Sequence, residues 1–381
     1  MASKEDVLQA KEILSARLLG LGVRNNVMSR HFSLRMRDAV GDMGANVHAV
    51  GVGRKVVQGE STGDLAVRIY VVQKFAASAI PPRDLLPAEL EGIPCDVIES
   101  PPAFILQPRK KVSAKTASAA RAIAKANPAA VETSRDAPPV VVAAGNCSDG
   151  RRNRQRPFVA GISAAHRDVT AGTIGYFCRS TKPGDDPNDI FILSNNHVIA
   201  NVNEAVIGDE ILQPGPADGG TSADHIANLH RFVRIKLGGD IANRVDAAIA
   251  RLLPEAAHNL SICRIGRITG TERGVEEMRV RKHGRTTGLT EGVITDESVN
   301  SLVGMDHSDP SVVALFQGQM RIERTGSSTA FGLGGDSGSP VVSRDNRRAV
   351  GLYFAGPDNG IYGLANHISD VIDQLQIELI N

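Results

Sequence analysis

GLGGDSGSPVV, Gly332 to Val342, sets one serine, Ser337, between two glycines and behind an aspartate, then runs into a proline and two β-branched residues. Glycines on both sides let the backbone approach another molecule closely and take dihedrals that other residues avoid. The stretch is therefore either a glycine-rich turn or a nucleophile held on a tight loop. The rest of the chain separates the two readings, because a serine hydroxyl is a poor nucleophile at neutral pH. It needs a histidine base, a carboxylate to orient that base, and amide donors for the developing oxyanion.

All three requirements have occupants. His197 stands in FILSNNHVIA, at the end of an apolar strand where a side chain is presented at a rim. Asp246 stands in NRVDAAIARL, at the mouth of a second apolar strand, where an acid has few structural reasons to exist. The order His197, Asp246, Ser337 differs from the Asp-His-Ser and Ser-acid-His orders found on other folds, and it belongs to the chymotrypsin-like double β-barrel.

GGDSGSPVV, LSNNHV and VDAAIARL resemble the three active-site segments of trypsin-like serine peptidases, over roughly Pro157 to Asn381. VRKHGRTTGLTEGVI is similar to a strand and turn in the second barrel of bacterial lytic endopeptidases. With NVHAVGVG, DLAVRIYVVQK, IPCDVIE and IGDEILQPGPADGG, the chain also resembles the Narrow leaf 1-like group of intracellular bacterial and plant proteins. The resemblance implies His197 as general base, Asp246 as its orienting carboxylate and Ser337 as nucleophile. It implies an oxyanion hole formed by the amides of Gly335 and Ser337. Three departures stand out: Asn195 and Asn196 replace small residues before the histidine, Ser339 replaces a glycine, and AVGLYFAG supplies no serine to support Asp246. Asp336, beside the nucleophile, needs a cation if it is buried. The chain offers no Ile-Val-Gly-Gly site to free an N-terminal amine, and the likeness of KHGRTTGLT to the lytic enzymes implies Arg285 as the partner.

The expected fold is mainly β, a chymotrypsin-like double β-barrel preceded by a small α+β domain. Residues 1–110 form an N-terminal helix plus that domain, 111–139 an Ala/Lys/Pro-rich linker, and 140–381 the peptidase domain. The first residues predict an amphipathic helix, with Val7, Leu8, Ile13, Leu14, Leu18 and Leu19 at helical spacing. A second helical stretch follows in VMSRHFSLRMRDAV, then a hairpin around GESTGD, a short helix in PPRDLLPAELEG and a strand in IPCDVIE. HISDVIDQLQIELI predicts a closing helix.

With 43 basic and 42 acidic side chains, no global field attracts nucleic acid or an anionic membrane. No apolar run is long enough to span a bilayer, and the N-terminus does not read as a signal peptide. Four separated cysteines read as reduced thiols, so the expected location is cytoplasmic. No cofactor and no metal are expected, since the ten histidines show no HExxH or short His-x-His pairing. VGVG at Val50–Gly53 reads as a strand with a close backbone approach, and RRNRQR, Arg151–Arg156, as a solvated connection. The function expected is that of an intracellular serine endopeptidase acting on protein or peptide substrates, with the N-terminal region serving assembly, including a homo-oligomer, or substrate selection. The competing expectation is a catalytically silent trypsin-fold protein acting as an interaction or scaffold module.

Overall fold

The computed structural model describes residues 3–20, 46–57, 60–105, 147, 149–306, 309 and 311–381. The helical stretch expected at VMSRHFSLRMRDAV and the linker at 111–139 lie outside these residues.

The protein is mainly β. A seven-stranded antiparallel sheet holds Phe191–Ser194 and Ala248–Leu252 as central neighbours. A twelve-stranded sheet holds the rest of the principal strands. Within it Arg279–Gly284, Gly288–Gly304, Val313–Arg324, Tyr362–His367, Ala349–Ala355 and Pro340–Ser343 pair in a ring, each with the next and the last with the first. Closing the ring leaves these strands no free edge. The alternating burial of Gly288–Glu297 follows from the period of two along a strand, which puts every second side chain inside.

Gly288–Gly304 outruns the ring, and register shifts between Ile294 and Ser301 bend its far half outward. There it pairs with Val47–Val57, which forms the expected hairpin with Glu60–Val71, and Ile93–Glu99 adds in parallel to the latter. The joint is fixed by charge: the Arg68 guanidinium lies 3.0 Å from the buried Asp296 carboxylate, and the Tyr70 hydroxyl donates to it at 2.6 Å. A Cβ at Gly51 would stand 2.5 Å from Asp296 Oδ1, so VGVG is the close backbone approach read from the sequence.

The first helix, Lys4–Leu19, is capped by Ser3, whose hydroxyl accepts from the Asp6 amide, and it ends at Gly20 in the left-handed region. Val7, Leu14 and Leu19 are buried, while Ile13 is exposed. Lys11 takes the inward place instead, donating to Asn300 at 3.1 Å and Ser298 at 3.0 Å.

Several local expectations are corrected. PPRDLLPAELEG holds only a 3-10 turn, Pro82–Asp84, and a two-residue strand, because its prolines interrupt any longer ladder. The closing helix stops at Leu375 with Gln376 left-handed, and Ile377–Leu379 becomes an edge strand of the first sheet. Cys147 and Cys263 are joined in a disulfide with Cα atoms 5.8 Å apart, and only Cys95 and Cys178 are free. RRNRQR is solvated only in part: Arg152, Asn153 and Arg154 are exposed, but Gln155 is buried and the half-buried Arg151 donates to the carbonyls of Arg285 and Thr286. Among the described residues no helix is long and apolar enough to cross a membrane.

Candidate active site

His197 sits on the short helix Asn196–Ile199, directly after Phe191–Ser194, and Asp246 lies two residues before Ala248–Leu252. These strands are antiparallel neighbours with Ser194 opposite Ala248, so the ends carrying the base and the acid are adjacent. His197 Nδ1 contacts Asp246 Oδ2 in a short hydrogen bond, and the His197 amide donates to Asp246 Oδ1 at 3.2 Å. Both carboxylate oxygens are therefore engaged by one residue, without the serine that AVGLYFAG lacks.

The two asparagines before the histidine brace this arrangement. Asn195 Nδ2 donates to the Asp246 carbonyl at 2.7 Å, and Asn196 Nδ2 donates to the carbonyl of Val233 at 2.7 Å. From the second sheet, Asn366 Oδ1 accepts from the Asp246 amide at 3.0 Å, while its own amide donates to Gln319 at 2.6 Å. Sequence reasoning missed Asn366, although a lone asparagine inside the apolar strand YGLANH was a usable signal.

Ser337 stands on the loop between Phe331 and Pro340, inside the junction of the sheets. His197 is 3% exposed, Asp246 0% and Ser337 1%. Ser337 Oγ donates to the Phe354 carbonyl at 3.3 Å, and His197 Nε2 has no hydrogen-bond partner among the described residues. The expected base and acid thus come together, while the serine hydroxyl is turned to the Phe354 carbonyl.

The loop aims its amides by holding the carbonyls on their far sides. In a trans peptide the C=O and N–H point in opposite directions. Thr286 Oγ1 donates to the Gly334 carbonyl at 2.5 Å, which directs the Gly335 amide the other way. The Asp336 carbonyl accepts from the Ser339 amide at 2.9 Å and from its hydroxyl, which does the same for the Ser337 amide. Ser339 therefore gives the loop a bond that a glycine could not. Gly335 has φ +92, and Thr173 Oγ1 secures its carbonyl at 2.9 Å. Any side chain at 335 would both be strained and meet Thr286 Oγ1 at 2.7 Å.

The expected pairing of Arg285 with Asp336 is corrected. Arg285 lies in the turn beyond Arg279–Gly284 and reaches the 3-10 turn Pro216–Asp218, where its Nε donates to Asp218 at 2.8 Å. The cation on Asp336 is Lys282, three residues earlier on the strand, with Nζ 3.3 Å from Oδ2 and both side chains fully buried. The carboxylate also accepts from the amides of Thr286 at 2.7 Å, Thr287 at 3.1 Å and Leu333 at 3.0 Å, and from the Thr287 hydroxyl at 2.7 Å. Burial alone would raise the Asp336 carboxyl, but Lys282 and these donors outweigh it and hold its pKa below the usual carboxylate range. Burial pushes the Lys282 ammonium down, against the opposing pull of Asp336.

Phe331, six residues before Ser337, is buried edge-on against Tyr353 with ring centroids 6.0 Å apart. Thr290 Oγ1 donates to its carbonyl at 2.7 Å.

No protein-family model matches the chain, and no curated protein does. Solved structures similar to it include Thermobifida fusca protease A, at 16% identity and a TM-score of 0.41, covering 59% of this chain and 98% of that one. A Nocardiopsis protease matches at 14% identity and a TM-score of 0.41, covering 59% of this chain and 99% of its own. A glutamic acid-specific serine protease matches at 15% identity and a TM-score of 0.41, covering 58% of this chain and 100% of its own.

Proposed function

We propose that the protein is a serine endopeptidase that hydrolyses peptide bonds through an acyl-enzyme on Ser337. The observations that carry this are the buried His197–Asp246 pair, the close packing of Gly338 on Ser194 three residues before the histidine, and a serine whose neighbouring amides are aimed by Thr286 and Ser339. Asp246 fixes the imidazole with Nδ1 protonated, leaving Nε2 as the free basic nitrogen. Rotation of Ser337 about χ1 brings Oγ to Nε2, which takes its proton as Oγ bonds to the substrate carbonyl carbon. The carbonyl oxygen, now negative, accepts from the amides of Gly335 and Ser337. Collapse breaks the C–N bond as the imidazolium hands its proton to the leaving amine. Water, deprotonated by His197, then releases the acyl group and restores the serine.

One observation favours the second reading, a silent interaction module: Ser337 Oγ rests on the Phe354 carbonyl instead of on His197. Catalytic hydrogen bonds often tighten only with substrate bound, so a rotamer does not decide between the two. The likeness to the Narrow leaf 1-like group rests on the sequence motifs. The Cys147–Cys263 bridge removes the support that four reduced thiols gave to a cytoplasmic location, since such bonds persist in oxidising surroundings. A fluorophosphonate probe separates the readings: a triad yields a single adduct mapped to the Ser337 peptide, and a silent module yields none.

A further inference from the structure

The backbone of Gly356, two residues past the Phe354 carbonyl that touches Ser337, is already paired. The Phe104 amide donates to the Gly356 carbonyl at 3.0 Å, and the Gly356 amide donates back to the Phe104 carbonyl at 3.2 Å, an antiparallel bridge. On its other side the short strand Ala103–Phe104 lies parallel to Val303–Gly304, and the Ile105 amide donates to the Gly304 carbonyl at 2.9 Å. Upstream, the Tyr362 hydroxyl donates to the Pro101 carbonyl at 2.7 Å.

The side chains leave no room beside this strand. Ala103 and Ile105 are buried in one apolar cluster with Phe354, Ala355, Tyr362 and Val202. Val202 lies in the turn that follows the His197 helix, so one apolar cluster joins Ile105 to the segment after the histidine and to the strand that receives the Ser337 hydroxyl. Phe104 faces the opposite way, into the core of the N-terminal hairpin. In this position the chain advances antiparallel to Ala349–Ala355, from the Gly356 level toward Phe354 and the serine.

A peptide substrate presented to Ser337 in extended form needs a strand edge to fix its main chain, the mode of β-strand addition. The free backbone donor and acceptor that continue Ala349–Ala355 are those of Gly356, and Phe104 holds both. Resting on the catalytic reading above, we propose that Ala103–Ile105 is a substrate-mimicking strand of this chain that occludes its own serine site by taking the place of an extended peptide's main chain at Gly356. The unpartnered His197 Nε2 and the near-complete burial of Ser337 fit a cleft whose approach is filled from within. A segment tethered to the same fold competes at an effective concentration on the order of millimolar or higher, so an external peptide of ordinary affinity does not displace it. The occupant therefore selects more strongly against extended peptides acting in trans than against small acylating agents, which need no strand pairing.

The test compares two probes on the intact chain: a small alkyl fluorophosphonate and a tetrapeptidyl phosphonate that must pair along the edge. In the wild type the small probe is expected to label Ser337 much faster than the peptidyl one. Phe104→Ala, which removes the anchoring ring, is expected to raise the ratio of peptidyl to small-probe rate at least tenfold, with an unchanged far-UV spectrum. Equal rates for both probes in the wild type, or an unchanged ratio in Phe104→Ala, overturn the proposal. Should neither probe react, the catalytic reading fails and amide hydrogen exchange reads the occupancy alone. It is also the readout if Phe104→Ala does not fold. Slow exchange at both Phe104 and Gly356 in the wild type supports the strand's place, and fast exchange at either one overturns it.

Discussion

Replacing Lys282 by methionine perturbs the loop of the nucleophile at its one buried ion pair. The ammonium and the Asp336 carboxylate are 3.3 Å apart. At an effective dielectric of about 20 that separation corresponds to roughly 5 kcal/mol of attraction. Much of this offsets the cost of burying two charges, yet removing one partner leaves the other unneutralised in the interior. Losses on the order of 3–5 kcal/mol follow such truncations. Methionine fills nearly the same volume, so the loss reports charge and not a cavity. The remaining donors to Asp336, three amides and the Thr287 hydroxyl, keep the carboxylate hydrogen-bonded and place the expected value toward the lower end, about 3 kcal/mol. The assay is urea unfolding, comparing midpoints of wild type, Lys282→Met and the double variant Lys282→Met/Asp336→Asn. The double variant regains only part of the loss, because the amide carries no charge to leave stranded but turns an NH2 donor toward groups such as the Leu333 amide that donate to the carboxylate in the wild type. A Lys282→Met midpoint equal to wild type refutes the reasoning, and it would place the charge balance of the loop elsewhere.

Three further outcomes are expected. Burial, aided by the nearby Lys282 and Arg151 charges and opposed by the bond to Gly161, lowers the His283 pKa from 6.5 to about 4. Between those values the unfolded chain binds more protons than the folded one, so stability falls as pH drops through that window. The loss reaches about 3 kcal/mol near pH 4, and His283→Gln should flatten that part of the urea-midpoint profile; an identical profile in both proteins rules it out. Thr286→Val removes the donor that holds the Gly334 carbonyl, and kcat on a small activated ester should drop by about tenfold to a hundredfold with KM little changed; an undiminished kcat dismisses Thr286 as a positioning residue. Because STAFGLGG, Ser328–Gly335, leads into the serine loop with a buried Phe331 and no acid, peptides cut by Phe104→Ala should carry apolar or small residues before the cleaved bond, and a profile dominated by Lys or Arg contradicts this.

The pairing of His197 with Asp246 and the tight loop at Ser337 were legible because they lie in short, self-contained contexts: a glycine-flanked serine, and a histidine and an aspartate each at the end of an apolar strand. Such contexts are local, and the pairing of Ser194 with Ala248 then brings base and acid together. What supports the triad was not legible, because it depends on pairings between distant segments. Lys282 and Arg285 sit on one hairpin, three residues apart, and which of them faces Asp336 is set by the turn at Arg285–Thr287 and by Asp218 in the 3-10 turn Pro216–Asp218. Asn366 reaches Asp246 only across the junction of the sheets. The same holds for the N-terminal strands: the hairpin was visible in β-branched runs, but its union with Gly288–Gly304 through Arg68 and Asp296 was not. The cysteines misled for a related reason, since 116 residues separate Cys147 from Cys263 and spacing carries no trace of their bridge.

The central claim, acyl transfer through Ser337, is tested most directly by pre-steady-state release of p-nitrophenol from a p-nitrophenyl ester, a substrate too small to need the edge at Gly356. The account predicts a burst close to one equivalent per chain followed by slow turnover, with Ser337→Ala abolishing the burst and His197→Ala slowing it by orders of magnitude. A Ser337→Ala protein that releases p-nitrophenol with the wild-type burst and rate would contradict it.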